Sequence, residues 1–505
     1  MGRFLNRTIE KGLSRRYRRL QWSVENPFRA QEKILNYLIL KLKSTKYANV
    51  ISRKSIKNAS DFFSLIPVSD YESLKPFIQQ ALKGENHILW PGRVRWFAKS
   101  SGTTSDKSKF IPVSRQTLKD CHYKAGRDML AVFVKNYPET SIFYGSGLII
   151  GGSTQLNREY EKSVTGDISA ILSENLPLWT KFWQNPGKRI LQIADWEEKI
   201  NVMAREMPAK NITHITGVPT WTCVLFDKIL QNTGAANIHE IWPNLELFIH
   251  GGVSFSPYRQ LFGNYLPGSQ IKYLETYNAS EGFFGFQDDP SRNDFLLLLN
   301  HGIFYEFIPT DGLSQNHHET IGLSEVKTGI NYAMVISTNS GLWRYLIGDT
   351  IVFTSIHPYR FILSGRTKHF INAFGEELII DNAEKAIAYA CRKTSAIIRD
   401  YTAGPVFLSR NRSGAHEWLI EFQKEPDDLE LFISFLDEKL KELNSDYEAK
   451  RSGDLALGRP VVRVMPEGTF YNWLKNKGKL GGQHKVPRLS NNRLLIEEIL
   501  GISGQ

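Results

Sequence analysis

Residues 99–109 of this chain read Lys99-Ser100-Ser101-Gly102-Thr103-Thr104-Ser105-Asp106-Lys107-Ser108-Lys109 and lie between two strand-like runs, 94–98 and 110–113. Hydroxyl groups, one glycine and several lysines are concentrated in this loop. Such a loop presents backbone N–H groups, hydroxyl donors and ammonium charges, a combination that suits the oxygens of a polyphosphate. It is not a Walker A loop, because no Gly-Lys-Ser/Thr follows the glycine at the required spacing. A polar surface hairpin is the alternative that these residues alone leave open.

Length, composition and charge narrow the class of protein. A chain of 505 residues is too long for one hydrophobic core, so two or more domains are expected. The hydrophobic fraction of 41% argues against long disordered segments, and the net charge of +11 predicts a surface that attracts anions. The three cysteines are widely separated and form neither a zinc motif nor a disulfide framework. They favour a reducing compartment, so we expect a cytoplasmic protein.

The amino-terminal residues predict a basic amphipathic helix. Apolar residues recur there at helical spacing, with arginines and lysines between them. Contact with a membrane surface or a nucleic acid is one interpretation, and docking onto the rest of the protein is the one that we favour. No apolar run reaches the roughly 18 residues that a membrane-spanning helix needs. We therefore expect no nucleic-acid partner and no stable membrane insertion.

The pattern of predicted elements is mixed α and β. A helix is predicted over 115–136. Strand-like runs follow at 147–150, 245–249, 271–276, 295–299, 302–308, 332–338, 343–347 and 359–363. Helices between some runs and meanders between others predict mixed sheets flanked by helices.

After Arg366 the pattern of predicted helices and strands changes to that of a compact α+β unit. Its predicted helices cover 381–393 and 427–443, and its later strands lie at 406–408, 418–422 and 461–465. We expect one domain over residues 1–367 and a second over 368–505, with a hinge near 366–372. Basic residues on a hinge can touch a ligand and absorb a domain rotation, although an exposed basic linker is the ordinary interpretation.

Two further motifs carry chemistry. Thr276-Tyr277-Asn278-Ala279-Ser280-Glu281-Gly282 directly follows a predicted strand. An aromatic ring there can stack on a base, and a carboxylate four residues later can hold a metal ion that bridges phosphates. Asp349 ends a hydrophobic run behind Gly348, where a carboxylate can accept both hydroxyls of a ribose. A loop glutamate and a Gly-Asp turn are the ordinary alternatives.

Taken in this order, the motifs resemble those of the adenylate-forming superfamily and, more closely, the auxin-responsive Gretchen Hagen family of acyl-acid amido synthetases. Residues 100–104 resemble that family's phosphate loop, with Asp106 where a glycine is usual. Residues 277–281 resemble its Tyr-x-x-Ser-Glu motif, and residues 345–349 its Tyr-Arg-x-Gly-Asp-type motif. Residues 485–488 resemble a Lys-Val-Pro-Arg signature that general acyl-CoA synthetases lack. Residues 215–219 and 250–253 also fit the family's spacing.

The resemblance implies both a fold and a chemistry. The fold is α/β, with a large N-terminal adenylate-forming domain of mixed β-sheets flanked by helices and a small mobile α+β C-terminal domain. The enzyme uses ATP and Mg²⁺ to convert a carboxylic acid into an acyl-adenylate, which releases pyrophosphate. It then joins the acyl group to an amino acid or another amine. We expect a monomer that acts on these small molecules.

The resemblance also implies roles for individual residues. The expected catalytic residues are Lys485 and Lys368. Arg127 and Thr220 are expected to bind the acid substrate, and Glu281 is the expected metal ligand. The expected ATP-binding residues include Tyr277 on adenine and Asp349 on the ribose. The full ATP-binding set is Ser100, Ser101, Gly102, Thr103, Thr104, Lys109, Gly252, Thr276, Tyr277, Ser280, Glu281, Asp349 and Arg366.

Two other classes of protein stay open. An acyl-CoA or acyl-carrier ligase shares the first half-reaction but uses a thiol acceptor, and the Lys-Val-Pro-Arg signature argues against it. A non-catalytic nucleotide-binding or membrane-associated module is the second class. Retention of Glu281, Asp349 and Lys485 argues against that interpretation.

Overall fold

The computed structural model describes most of the chain. The described residues are 2–51, 56–100, 109–150, 156–158, 160–176, 183–193, 196–252, 255, 258–268, 270–310, 319–366, 370–371, 378–406, 414–444, 447–448, 451, 457–479, 485–490 and 493–503. Contacts divide the chain into two compact units. The first comprises residues 1–217, 244–252 and 270–362, and the second comprises 218–243, 253–269 and 363–505. The predicted division between residues 367 and 368 stays a prediction.

Helices and strands both occur along the chain, as the mixed pattern predicts. In chain order the strands are β1 (Trp96–Ser100), β2 (Lys109–Val113), β3 (Ser146–Ile150), β4 (Val164–Gly166), β5 (Gln184–Asn185), β6 (Ile212–Gly217), β7 (Leu247–Gly251), β8 (Lys272–Ala279), β9 (Gly282–Phe286), β10 (Phe295–Leu297), β11 (Ile303–Pro309), β12 (Asn331–Thr338), β13 (Tyr345–Ile356), β14 (Tyr359–Arg366), β15 (Phe370–Ile371), β16 (Leu378–Ile379), β17 (Ile397–Val406), β18 (Ala415–Lys424) and β19 (Val461–Met465).

The helices of the described residues cover both units. They are α1 (Gly2–Glu25), α2 (Pro27–Leu42), α3 (Lys46–Ile51), α4 (Ala59–Leu65), α5 (Tyr71–Leu82), α6 (Arg115–Thr117), α7 (Tyr123–Asn136), α8 (Ile168–Glu174), α9 (Lys188–Leu191), α10 (Trp196–Glu206), α11 (Pro219–Thr233), α12 (Ile238–Ile241), α13 (Arg259–Tyr265), α14 (Ile380–Thr394), α15 (Leu429–Leu443), α16 (Thr469–Asn476) and α17 (Leu494–Ser503). None of the helices in the described part of the chain is both long and apolar enough to cross a membrane.

The first unit is built on an 11-stranded mixed sheet with the order β11-β12-β13-β14-β10-β9-β8-β7-β6-β3-β5. Strands β5, β3, β6, β7 and β8 run parallel to their neighbours. The β8–β9, β9–β10, β10–β14, β11–β12 and β12–β13 pairs are antiparallel. A smaller sheet has the order β2-β1-β4. The predicted mixed α/β class is therefore confirmed.

The predicted helix over 115–136 is confirmed, with a local change of winding. It begins at Arg115, where the Ser114 hydroxyl accepts a hydrogen bond from the Thr117 N–H at 3.0 Å. A π-helical turn, Leu118–His122, joins α6 to α7. In that turn the Cys121 Sγ accepts a hydrogen bond from the Phe283 N–H at 3.2 Å, so the turn is fixed against β9.

A buried ion pair joins three parts of the first unit. The Arg344 guanidinium donates to the Glu306 carboxylate through Nε at 3.1 Å and through Nη2 at 2.8 Å. Its Nη1 donates to the carbonyl oxygens of Phe63 at 2.9 Å and Ile66 at 2.7 Å. Both charged side chains are buried. The pair therefore fixes the end of α4, strand β11 and the start of β13 to one another.

The second unit contains the predicted α+β region. Strands β17, β18 and β19 form one sheet, with β18–β19 parallel, and α14 packs against α15. The predicted strand 461–465 and the helices at 381–393 and 427–443 agree with the observed bounds to within two residues. Asp227 on α11 accepts from the Tyr265 hydroxyl at 2.6 Å and from Arg399 at 3.1 Å. These bonds attach α11 and α13 to β17 within the same unit.

Removing one partner of the Arg344–Glu306 pair should destabilise the protein strongly. Arg344→Met leaves a buried carboxylate without its cation, which costs about 3–5 kcal/mol. Urea denaturation of Arg344→Met, Glu306→Met and the double variant measures the loss, and we expect the double variant to lose less than the sum of the single variants. Lys188→Met removes a solvent-exposed pair with Glu174 and should leave the midpoint nearly unchanged. Additive losses would mean that the two side chains stabilise the fold independently.

Candidate functional site

The parallel strands place several predicted residues at one edge of the large sheet. Gly217 is paired with His250, and Gly251 with Thr276, so the ends of β6 and β7 lie near the level of Thr276 on β8. Ligands of open α/β sheets bind outside the carboxyl ends of such strands. Gly252 follows β7 with φ +85°, a conformation that favours glycine. The predicted residues Gly252 and Thr276 therefore lie at the edge where a ligand is expected.

Close approach of the backbone explains the glycines that end β7. A Cβ added at Gly251 would lie 2.5 Å from the Thr276 carbonyl oxygen and 2.8 Å from its hydroxyl. The Thr276 hydroxyl donates to the His250 carbonyl oxygen at 3.1 Å, which holds the ends of β7 and β8 together. A larger side chain at position 251 would separate these two strand ends.

The second motif forms a strand and a tight turn. Strand β8 continues to Ala279, three residues beyond the predicted end at Thr276. Ala279 is paired with Gly282, so Ser280 and Glu281 alone connect β8 to β9. Both side chains are buried, and the turn therefore holds a carboxylate inside the first unit.

Asp349 lies on a β-bulge in the middle of β13. Leu346 is paired with Val335 and Thr350 with Ala333, so residues 347–349 lie opposite a single residue of β12. Gly348 has φ +89°, which only glycine adopts without strain. Bulges redirect side chains and occur often beside active sites. The prediction that Asp349 ends the strand is therefore wrong, because β13 continues through the bulge to Ile356.

A short hydrogen bond joins the second and third motifs. The Tyr277 hydroxyl donates to the Asp349 Oδ2 at 2.5 Å, and both side chains are buried. The Tyr277 ring packs against Phe284 at 4.9 Å and Phe361 at 5.9 Å between ring centroids. The hydroxyl therefore fixes the orientation of the carboxylate. Stacking of this ring on adenine stays a prediction.

Tyr345 lies among the acidic groups of both motifs, although sequence reasoning gave it no role of its own. Burial raises the pKa of its hydroxyl well above the usual value, and the charges of Glu281 and Asp349 raise that pKa further. Tyr71 and Asp70 act on it in the same direction. Glu281 and Asp349, 68 residues apart in sequence, thus share one neighbourhood around a neutral phenol.

Tyr71 connects this neighbourhood to the end of the hydroxyl-rich loop. Its hydroxyl accepts a hydrogen bond from the Phe110 N–H at 2.9 Å, and the Lys109 Nζ lies 5.5 Å from the centre of its ring. Lys109 is paired with Ser100 across β1 and β2, so both strands extend into the segment that was predicted as a loop. An ordinary aromatic residue gives no sequence signal for this role. The structure therefore brings Lys109, Glu281 and Asp349 toward one region through Tyr71 and Tyr345.

Several predicted residues are not described in full. Ser101, Gly102, Thr103, Thr104 and Lys368 lie outside the described residues. For Ser100, Thr220 and Arg366 the backbone is described and the side chain is not. Their roles stay predictions.

Lys485 is exposed and lies in a segment that the second unit holds tightly. The buried Arg488 guanidinium pairs with Asp400, donates to the Tyr401 carbonyl oxygen at 2.8 Å and donates to the Tyr258 hydroxyl at 2.8 Å. The Ala403 N–H donates to the Arg488 carbonyl oxygen at 3.0 Å. Arg488 therefore anchors the segment that carries Lys485 to strand β17.

Arg127 lies on an exposed part of α7, where its Nε donates to the Tyr123 carbonyl oxygen at 3.0 Å. It lines a cavity of about 390 Å³ together with residues of α1. Lys109, Tyr277, Glu281 and Asp349 do not line this cavity. Contact of Arg127 with the acid substrate stays a prediction.

The donor groups fit magnesium better than a structural metal. Among the described residues, no cluster of three or more His, Cys, Asp or Glu side chains is placed to hold a metal ion. Mg²⁺ commonly binds through one or two carboxylates together with phosphate oxygens and waters, so the single carboxylate of Glu281 suits it.

The thiols offer no nucleophile, because burial raises the pKa of Cys121 and of Cys391 to about 12 and that of Cys223 well above its usual value.

Comparisons with known proteins agree on one family. Residues 16–271 match the model of the GH3 family N-terminal domain, residues 296–366 the GH3 family central domain and residues 381–494 the GH3 family C-terminal domain. The chain is 23% identical to the indole-3-acetic acid-amido synthetase GH3.4 of Arabidopsis thaliana, over 92% of this chain and 89% of the relative. It is 24% identical to the jasmonoyl–L-amino acid synthetase GH3.5 of Oryza sativa subsp. japonica, over 92% of each chain. The structure of the GH3.15 acyl acid amido synthetase matches with a TM-score of 0.78 and 18% identity, over 97% of this chain and 95% of that one.

Replacing Gly348 should damage the site more than the fold. Gly348→Ala puts an L-residue at φ +89°, which costs about 1–3 kcal/mol of stability and should turn the Asp349 carboxylate away from its position. Gly329→Ala is the matched control, because Gly329 has φ +79° and open space around an added Cβ. We expect both variants to melt earlier and only Gly348→Ala to lose nucleotide affinity in a calorimetric titration. Equal nucleotide affinities in the two variants would show that the bulge plays no part in nucleotide binding.

Proposed function

The chain belongs to the GH3 family, and on this premise we propose that it is an ATP-dependent acyl-acid amido synthetase. The observation that carries the proposal is the shared position of Glu281 and Asp349 around Tyr345, beside the carboxyl ends of the parallel strands. A nucleotide that binds across this edge needs a hydrogen-bond acceptor for its ribose hydroxyls and a carboxylate that holds the metal ion on its phosphates. Asp349 supplies the first and Glu281 the second.

The proposed reaction has two steps. In the first, a carboxylate oxygen of the acid attacks the α-phosphorus of ATP, a new C–O–P bond forms and the bond to pyrophosphate breaks. In the second, an amine attacks the carbonyl carbon, AMP leaves with the bonding electron pair, and the amine loses a proton. A free carboxylate is a poor acyl donor because its leaving group would be oxide. Adenylation replaces that leaving group with AMP, and catalysis of the first step rests on positioning and charge neutralisation.

Phosphate recognition is proposed for the loop between β1 and β2. Lys109 ends this loop, and its ammonium lies beside the Tyr71 ring, whose hydroxyl is fixed by the Phe110 N–H. We infer that Lys109 acts with Ser100, Ser101, Gly102, Thr103 and Thr104 on the phosphates of ATP. Backbone N–H groups and hydroxyl groups in such a loop bind phosphate oxygens without requiring a helix N-terminus.

Recognition of the ribose is assigned to Asp349, with Tyr277 as the residue that positions it. The hydroxyl of Tyr277 occupies one carboxylate oxygen of Asp349 at 2.5 Å. The bulge at Gly348 sets the direction of the carboxylate. Adenine recognition by Tyr277, and contacts of Gly252, Thr276 and Ser280 with the nucleotide, belong to the same proposal.

Magnesium is proposed to bind Glu281 when ATP is present. Its chemistry there is neutralisation of phosphate charge. The Glu281 carboxylate is buried at the tip of the β8–β9 turn, so its position is set before the nucleotide binds. Its charge acts on the Tyr345 hydroxyl together with that of Asp349, so both carboxylates lie near the same phenol.

Lys485 is proposed to act in the adenylation step, with Lys368 and Arg366 as further basic groups near the phosphates. The Arg488 anchor holds the segment that carries Lys485 on the second unit. An ammonium at the α-phosphate can neutralise charge that develops as the new bond forms. Rotation of a mobile C-terminal domain about a hinge near 366–372 would deliver and withdraw it.

The identities of the acid and of the amine are to be determined by a substrate screen. The two relatives named above act on indole-3-acetic acid and jasmonate by their names, so acids of both kinds belong in the panel. Pyrophosphate exchange identifies the acid, and mass spectrometry of the product with each amino acid identifies the amine. Exchange that leads to product only with coenzyme A would overturn the amido synthetase assignment. Arg127 and Thr220 as acid contacts, a monomeric state and a cytoplasmic location stay predictions.

Asp349→Ala should weaken ATP binding mainly through the ribose. Loss of an acceptor for two hydroxyl groups costs about 1–3 kcal/mol. Deoxy-ATP should show a similar loss with the unmutated protein and little further loss with Asp349→Ala. Tyr277→Phe keeps the carboxylate and should lose less than Asp349→Ala. Additive losses from the variant and the deoxy nucleotide would contradict the ribose assignment.

Lys485→Ala should slow adenylation and spare the second half-reaction. Removal of one charged partner of a transition state lowers the rate by about 10²–10³. We therefore expect pyrophosphate exchange to fall by about that factor with little change in ATP affinity, while a supplied acyl-adenylate still reacts with the amine. Lys479→Ala is the control, since it removes another lysine that lies a few residues upstream on the same unit. Equal losses in both half-reactions would assign Lys485 to folding or general binding.

A further inference from the structure

The charged cavity that Arg127 lines lies in the first unit, between the N-terminal helix α1 and α7. It has a volume of about 390 Å³, which is within the usual range for small-molecule sites. We call it the α1–α7 pocket. Its lining residues are Arg16, Arg19, Trp22, Lys119, Asp120, Lys124, Arg127, Asp128 and Asn300. Five of these side chains are basic and two are acidic, so the lining carries an excess of positive charge.

Asp128 is already committed to neighbours inside the protein. Its carboxylate pairs with Arg16 at 2.6 Å and accepts from the His301 Nε2 at 3.0 Å. Burial lowers the pKa of His301 to about 4, so this imidazole is neutral at pH 7 and acts as a hydrogen-bond donor. Asp128 therefore pairs with Arg16, and its charge also acts on Lys124 and Arg127. The two carboxylates of the lining nevertheless do not balance its five basic side chains.

Lys124 is also held in place, and its environment disfavours its charge. Its Nζ donates to the carbonyl oxygen of Asn300 at 2.5 Å and to the side-chain oxygen at 3.0 Å. Burial lowers the pKa of Lys124, and the positive charge of Arg16 lowers it further against the opposing effect of Asp128. Burial and Arg16 also lower the pKa of Arg127. A bound anion would relieve this accumulation of positive charge.

Three basic side chains of the pocket can still bind a ligand. Among the side chains that the structure describes, no carboxylate forms an ion pair with Arg19, Lys119 or Arg127. Arg19 and Lys119 are exposed. The Arg127 Nε donates to a backbone carbonyl, and Arg127 is part of the pocket lining. Asp120 is exposed as well, and its charge raises the pKa of Lys124 and of Arg127, as that of Asp128 does.

We propose that the α1–α7 pocket binds a small anion that carries phosphate groups, with Arg19, Lys119 and Arg127 as its ligands. Guanidinium forks match phosphate oxygens in two-point hydrogen bonds, which favours phosphate over a single carboxylate. The site differs from the proposed nucleotide site, since Lys109, Tyr277, Glu281 and Asp349 do not line it. The proposal holds whether or not the amido synthetase assignment is correct.

The phosphate has two possible sources, a soluble metabolite or the headgroup of a lipid. Trp22 lies on the rim with 37% of its surface exposed, and the Lys33 Nζ lies 4.3 Å from its ring centre. An amphipathic residue and basic groups on one helix also suit contact with an anionic membrane surface. Both sources present the same chemistry to the pocket, so the experiment uses one probe of each kind.

The test compares two double variants that lose the same charge. Arg19→Gln with Lys119→Gln changes the pocket, whereas Arg15→Gln with Arg18→Gln removes two exposed charges of α1 that do not line it. The full chain is titrated with inorganic diphosphate in a calorimeter at low ionic strength. Binding to phosphatidylcholine vesicles, with and without phosphatidylinositol phosphate, is measured by sedimentation. Any binding of diphosphate at the nucleotide site is common to all three proteins.

We expect the pocket variant to bind at least one probe about tenfold or more weakly, and the control variant less than about twofold more weakly. A selective loss with diphosphate supports a soluble ligand, and a selective loss with phosphoinositide vesicles alone supports a lipid headgroup. Equal losses in the two variants overturn the proposal, because they show general attraction to a basic surface. Failure of the unmutated protein to bind either probe overturns it as well.

Discussion

The buried pair of Arg344 and Glu306 is the constraint on which the proposed site depends. The guanidinium holds the carboxylate of β11 and two backbone carbonyl groups at the end of α4. The backbone of the same residue accepts from the Ser69 N–H at 2.9 Å, and the Leu346 N–H donates back to Ser69 at 2.8 Å. A buried charge without these partners would be costly, so the segment before α5 has little freedom to move.

This constraint reaches both motifs through two tyrosines. Tyr71 begins α5 directly after Ser69 and Asp70, and it supports the end of the loop between β1 and β2. Tyr345 follows Arg344 and lies among the carboxylates of the second and third motifs. One ion pair therefore helps to fix the end of the proposed phosphate loop relative to two acidic side chains that are far apart in sequence. Preorganisation of this kind matters because small displacements of catalytic groups lower rates strongly.

Much of the fold follows from the sequence pattern. The strand β19, the helix over 115–136 and the mixed class all follow from periodicity and turn residues. The order of strands does not, because β14 pairs with β10, which is distant in sequence, only through tertiary packing. The π turn at 118–122 was not predicted either, since it depends on the contact of Cys121 with β9.

In the candidate site, too, the sequence indicates residues that belong to local motifs and does not indicate contacts that depend on the tertiary fold. Glu281 and Asp349 were found because their motifs have a fixed local spacing. The hydroxyl of Tyr277 on Asp349 and the positions of Tyr71 and Tyr345 were missed, because an aromatic residue in a strand or at a helix start has many ordinary uses. Neither the resemblance nor the spacing indicated the charged pocket beside α1, since its residues come from three separate segments.

The bulge in β13 has a consequence for how this strand tolerates change. Three residues, 347–349, face one residue of β12, so the strand gains two residues and keeps its parity. Side chains of a strand alternate between faces, and an even insertion leaves Ile351 and Phe353 pointing into the core as they would without it. A single-residue insertion or deletion at this place would invert every later side chain of β13. The strand can therefore gain or lose length here only in steps of two.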